Sequence, residues 1–141
     1  MFKLIKILNS GANVPEPELR PCEPDAVIDA GTCLVYDNLR NIVHASGPAD
    51  TPTHLLIKDV KKGDNLALCY KLFNEMLFEA PIVGSPENVY VGMTVELAVE
   101  DGHGAYAISD NDGGSTVIYS LEGATKSGDT ILVTLKTPSD I

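Results

Sequence analysis

Apolar and polar positions alternate along most of this chain with a period of two, the period of a strand whose successive side chains face opposite sides of a sheet. From position 66, Leu66, Leu68, Tyr70 and Leu72 fall on one face and Ala67, Cys69 and Lys71 on the other. A reversal at Phe73-Asn74-Glu75 leads into a return strand that ends before Pro81. This hairpin lies in the densest apolar part of the chain, residues 60–82, and a core is expected to assemble around it. Burial of Cys69 would mean that both sides of its strand are covered, which favours a barrel or a two-layer sandwich over an open sheet. Further on, Met93, Val95, Leu97 and Val99 alternate with Thr94, Glu96, Ala98 and Glu100. Tyr106 aligns with Ile108, Val117 with Tyr119 and Leu121, and Ile131 with Val133 and Leu135. Four such strands joined by short turns predict an antiparallel meander. No window has the period of a helix of three or more turns.

The first half reads less regularly. Residues 2–8 form a candidate strand, and Pro15, Pro17, Pro21 and Pro24 follow so closely that neither a helix nor a central strand can form. Residues 1–25 are therefore expected to be an extended Pro-rich arm, and residues 26–141 a single β domain. Such an arm is a loose connection, lies across a neighbouring subunit, or packs on its own domain. Residues 33–36 and 41–45 predict a hairpin around the turn at 37–40, and 54–58 a short apolar strand. The expected fold is all-β: a small antiparallel β-barrel or two-layer β-sandwich.

One device recurs. Gly31, Gly63, Gly92 and Gly128 each precede apolar residues at offsets of three and five, and the segments 61–71 and 126–136 match over their length. Glycine supplies the positive φ of a tight turn, and Asp64 and Asp129 can tie their side chains to nearby amides. Either duplication or shared turn chemistry explains the pattern.

Composition narrows the function classes. A chain of 141 residues with 44% apolar and 21% charged residues can build a core without metal or disulfide support. The net charge of −10 is uneven: residues 1–71 hold nine acids against eight bases, residues 72–141 eleven against two. Such a surface repels nucleic acid and anionic membrane, so neither is an expected partner. No run of 18 apolar residues occurs, and Lys6 interrupts the one stretch with the flavour of a signal peptide. Cys22, Cys33 and Cys69 are odd in number and lack C-x-x-C spacing, which predicts buried free thiols in a reducing compartment.

Candidate chemistry is sparse. His44, His54 and His103 are scattered and predicted to be surface or half-buried residues. The run 110–114 (DNDGG) hints at a calcium loop, but Ser115 and Leu121 stand where an EF-hand needs Gly and Glu, so a plain acidic turn is expected. The chain has no nucleophile elbow and no phosphate loop, and no pair of carboxylates stands out as an acid/base dyad. No catalytic, cofactor or metal residue is assigned, and a non-enzymatic protein is expected. Lys58, Lys61 and Lys62 form the one basic cluster, suited to an acidic partner surface or to protecting a strand edge. Tyr36, Tyr70, Tyr106 and Tyr119 are expected in the core.

With AGTCLVY followed by NIVHA, the Gly-Asp strand starts at 63 and 128, and the Pro-rich arm, the chain resembles the small β-rich capsid decoration (head-stabilising) proteins of tailed bacteriophages. The resemblance implies a β-barrel or β-tulip domain on the outer capsid surface. It further implies the major capsid protein as partner, a homo-oligomer with a trimer favoured, and location on the virion after synthesis in the host cytoplasm. Arms commonly contribute to such contacts, and strand addition is an economical way to bind. Phe2, Leu4, Ile5 and Ile7 are therefore the candidate contact residues of the arm, with Lys58, Lys61 and Lys62 on the body. The rival readings are a small-ligand or carbohydrate-binding β-barrel, for which a filled interior would be fatal, and a barrel-type hydrolase, which needs titratable groups converging in a cleft.

Overall fold

The computed structural model describes residues 1–8, 15–99 and 104–136. Those residues form eleven strands: β1 (Lys3–Ile7), β2 (Glu18–Pro21), β3 (Cys33–Asp37), β4 (Ile42–Ala45), β5 (His54–Leu56), β6 (Leu66–Lys71), β7 (Met76–Val83), β8 (Thr94–Val99), β9 (Ala105–Asp112), β10 (Thr116–Ser120) and β11 (Thr130–Leu135). A single 3-10 turn, Pro86–Asn88, precedes β8.

Five strands close a barrel in the order β7-β11-β10-β8-β9. The ring is completed by a parallel contact in which Ile82 and Val83 of β7 face Ile108 and Ser109 of β9. Every other ladder is antiparallel. Closure leaves the ring no edge, and a ring this narrow is filled by its own side chains. Phe78, Ile82, Val95, Leu97, Ile108, Ile118, Ile131, Val133 and Leu135 are all buried in one cluster. The alternation read for β11 therefore holds, and that for β8 holds through Leu97; beyond it a register shift between Ala98 and Val99 leaves Ala98 buried and Val99 40% exposed. In β10 the alternation is inverted: Ile118 is buried while Tyr119 is 46% exposed. A register shift between Ile118 and Ser120 pushes Tyr119 out of the ladder.

Outside the ring, β1 adds to β7, and the other five strands form a second sheet in the order β4-β3-β5-β6-β2, with a core of its own containing Leu34, Val43, Leu56, Val60, Ala67 and Cys69. Its middle strands are covered on both sides. Leu55 and Leu72 belong to the barrel cluster, and Tyr70 packs against it, while Leu56, Ala67 and Cys69 face the second core. Burial of Cys69 thus has the two-sided meaning anticipated for it. The Leu66–Leu72 face is only half used, because β6 runs past the barrel and leaves Leu66 48% exposed.

The glycine device is real and is built the same way each time. Gly31, Gly63, Gly92 and Gly128 have φ of 90°, 96°, 92° and 94°. Each is third in a turn closed by the fourth residue's amide on the first residue's carbonyl, the arrangement that calls for glycine there. At three of the four, the glycine amide and the next carbonyl bracket one residue of a neighbouring strand: Leu56, Ile118 or Ile82. At the fourth, Gly63 donates to Pro24, which has no amide to return the bond. Asp64 and Asp129 accept from the Lys61 and Lys126 amides at 2.9 and 3.1 Å, as expected.

The expected arm over 1–25 contributes one strand to the barrel and one to the second sheet. β1 pairs with β7, and Phe2 is buried with its ring edge-on to Phe78, centroids 6.3 Å apart. β2, which ends in Pro21, pairs with β6 and among the described residues has no ladder on its other side, the sheet position a proline tolerates.

Candidate functional site

The residues expected to contact a partner are dispersed. Phe2 is sealed in the barrel core, Leu4 and Ile7 pack partly against it, and Ile5 faces outward. The apolar area that would have served a neighbouring subunit is thus largely spent inside the chain. Lys58, Lys61 and Lys62 are exposed at the far end of the second sheet, around the turn into β6. Tyr36 and Tyr70 are half-buried and pack against the second core and the barrel core, Tyr106 is half-buried, and Tyr119 is exposed, so the core packing expected of all four is met by two and missed outright by Tyr119. His44 is half-buried, and His103 lies outside the described residues. In the DNDGG run, Asp110 and Asp112 belong to β9, with Asp110 accepting from the Ser85 amide and the Asn88 side chain at 3.1 and 2.9 Å. Those two bonds hold its carboxyl below the usual aspartate range. Among the described residues, no three His, Cys, Asp or Glu side chains group as metal ligands.

Among the described residues, a buried polar constellation assembles where β2 approaches β5. His54 opens β5 and is 3% exposed. Its Nε2 lies 2.9 Å from Glu18 Oε1, and its Nδ1 lies 2.8 Å from Thr53 Oγ1. The Thr53 hydroxyl oxygen also accepts the Tyr36 amide at 2.8 Å, which fixes its lone pairs and aims its proton at His54. Arg20 donates to Glu18 at 3.2 Å and lies over the Tyr36 ring, 5.6 Å from its centroid. The Cys69 thiol donates to the Glu18 carbonyl at 3.6 Å.

Electrostatics fix the protonation pattern. Burial depresses the His54 pKa, and the Glu18 hydrogen bond and charge only partly restore it. Desolvation alone would raise the Glu18 pKa, but hydrogen bonds from Arg20 and His54 hold it below the ordinary value. Near neutrality the pair is therefore a neutral imidazole donating through Nε2 to a carboxylate, with Nδ1 accepting from Thr53. Burial pushes the Cys69 thiol up to about 11, with Glu18 adding to the rise, and burial raises Cys33 and Cys22 as well. All three cysteines are buried free thiols, as their spacing predicted, and none is poised as a thiolate.

Sequence reasoning had no signal for this cluster. Glu18 and His54 are 36 positions apart, one in the expected arm and the other in a short apolar run. Protein-family models and curated proteins yield no match to the chain. Among the described residues, no helix is long and apolar enough to cross a membrane.

Proposed function

We propose that this chain is a non-enzymatic structural protein of the capsid-decoration kind, which binds the outer surface of a phage head through the major capsid protein. The observation that carries the reading is the filled ring: the barrel interior is occupied by Phe78, Leu97, Ile108, Ile118 and their neighbours, so recognition falls to the outer surface. That filling also counts against a ligand-binding barrel. Exposed apolar side chains at Leu19, Tyr90, Val91 and Tyr119 supply contact area of the kind interfaces use. The reading is tested by cosedimenting labelled chain with phage heads stripped of their surface proteins. Saturable binding in stoichiometric ratio to capsid subunits is expected, and a chain that stays in the supernatant at every concentration would sink the idea.

A second reading rests on a specific observation. Thr53, His54 and Glu18 have the connectivity of a nucleophile, a base and an orienting carboxylate. The Tyr36 amide already occupies the Thr53 oxygen, which suits a structural tie better than an attacking group. Ester hydrolysis that His54→Gln abolishes would reverse this preference.

A further inference from the structure

The acidic turn at 110–114 holds reactive groups in contact. Asp112 ends β9 opposite Val95 of β8, Gly113 and Gly114 lead away from it, and all three are exposed. The Gly113 amide donates to Asp112 Oδ1 at 2.9 Å, so the Asp112 side chain is folded back over the peptide bond that follows it. That contact sets a carboxyl carbon beside a backbone nitrogen, the two atoms that would close a five-membered ring.

Other aspartates are turned elsewhere. Asp37, Asp50, Asp59, Asp64, Asp110 and Asp129 accept amides other than that of the next residue. Each is followed by a residue with a side chain, which shields the nitrogen. Gly113 offers no such shield: its φ is 99°, and among the described residues a Cβ there would meet nothing within 4 Å. The chain's other Asp-Gly pair, at 101–102, lies outside the described residues.

We propose that Asp112-Gly113 is a site of spontaneous modification in the folded protein, where aspartate isomerises to isoaspartate with water as the only other reactant. The Gly113 nitrogen attacks Asp112 Cγ of the protonated carboxyl. The nitrogen's proton joins the carboxyl hydroxyl, water leaves, and a cyclic imide remains. Water then adds to either imide carbonyl. Opening at the main-chain carbonyl leaves the chain running through Cγ, and opening at Cγ restores aspartate. The attack frees the other bond of the Gly113 amide, to the Thr94 carbonyl at 3.1 Å, an opening that costs little at an exposed strand end.

The product has a longer main chain where the turn has no slack. A Cβ at Gly114 would fall 2.5 Å from the Val95 carbonyl oxygen and 2.7 Å from Glu96 Cα, so the added length cannot be taken up against β8. The turn lifts away instead, gives up the Gly113–Thr94 bond and loosens the neighbouring pairing of Thr116 with Val95. All of this concerns the chain alone, whether or not it decorates a capsid.

Ageing the folded chain at about pH 6, where a small share of carboxyls is protonated, tests the proposal. Electron-transfer fragmentation locates isoaspartate by its diagnostic main-chain cleavage, and circular dichroism follows the fold. Isoaspartate is expected at 112 at a rate within about tenfold of that in the urea-unfolded chain, because so little structure has to open. Positions 64 and 129 should stay aspartate. Asp112→Glu, whose ring would need a sixth member, should yield no isomer. Asp112→Asn should lose ammonia through the same imide, at neutral pH about tenfold faster than Asp112 isomerises, since its closure needs no protonated carboxyl. A folded chain that keeps aspartate at 112 or isomerises there only in urea would overturn the proposal. So would equal isomerisation at 64 and 129, or an Asn variant that stays intact.

Discussion

The barrel and the second sheet solve the same problem in different ways. Each has five strands and a core, but only the barrel closes its ladder, through the β7–β9 contact. The second sheet curls until β2 comes near β4 without pairing to it, and the polar cluster of Glu18, His54, Thr53 and Arg20 lies beside β2 and β5. The cores differ accordingly. Large aliphatic and aromatic side chains fill the ring, while Ala67, Cys22 and Cys69 stand among the eight buried residues of the other. Closure by backbone bonds permits an apolar interior, whereas an open edge must satisfy its polar groups with side chains. The barrel should therefore resist acid, and the second sheet should not.

The largest expected effect lies in the barrel. Phe2→Ala removes a ring that is 3% exposed and packed edge-on against Phe78. It should cost about 3–5 kcal/mol, the usual range for truncating a buried phenylalanine. Removing residues 1–25 should cost more, because it takes away β1 and β2 together with Phe2. Urea unfolding of the truncated chain checks this, and wild-type stability would mean that the first strand does not seal the ring.

A smaller and more local effect is expected at the open seam. Glu18→Ala leaves the buried His54 Nε2–H without its partner, at a cost of about 1–3 kcal/mol. Amide exchange should quicken in β2 and β5 and stay slow in β10 and β11. The pH dependence has a definite sign. The folded pKa of His54 lies below its ordinary 6.5, so the unfolded chain takes up the proton first and stability falls as pH drops below that value. Glu18, depressed from 4.5, adds a second loss below its own ordinary value. Both contributions are fully present above about pH 7. His54→Gln should flatten the first stage and keep the second, measured as urea midpoints across pH 4–8. An unchanged profile would show that His54 does not govern the acid response.

How much of this was legible in the sequence follows from how many faces of each strand carry apolar residues. In β11, Ile131, Val133 and Leu135 are buried while Leu132 and Thr134 are half-buried, so the period of two gave the right face. In β10, Val117, Ile118 and Tyr119 are consecutive, and the inward face is shared by Ile118 and Thr116, a polar residue that hides it from an apolar pattern. In β6 both faces carry apolar residues because both are covered, and the pattern cannot show where the cover stops; Leu66 lies beyond it. The four glycine turns were legible because their requirement is local. The Glu18–His54 tie was not, since it exists only after the proline-rich segment has been added as β2, and proline spacing shows only that such a strand must lie at an edge.

The smallest predicted effect separates conformation from packing within the glycine device itself. Gly31 and Gly63 share a positive φ, 90° and 96°, but differ in surroundings. A Cβ at Gly63 would meet nothing within 4 Å, so Gly63→Ala should cost only the strain of the left-handed backbone, about 1 kcal/mol. A Cβ at Gly31 would fall 2.7 Å from Met1 Cβ and 3.0 Å from the Phe2 carbonyl oxygen, where the first strand crosses the turn into β3. Gly31→Ala should therefore cost more than Gly63→Ala, with the excess measuring how firmly Phe2 is held against the barrel. The Phe2 amide donates to the Gly31 carbonyl at 2.8 Å, so displacing one displaces the other. Equal costs in paired urea titrations would mean that the first strand yields freely at that crossing. A larger cost at Gly31, erased in a Phe2→Ala background, would place the strain in the link between the barrel and the second sheet.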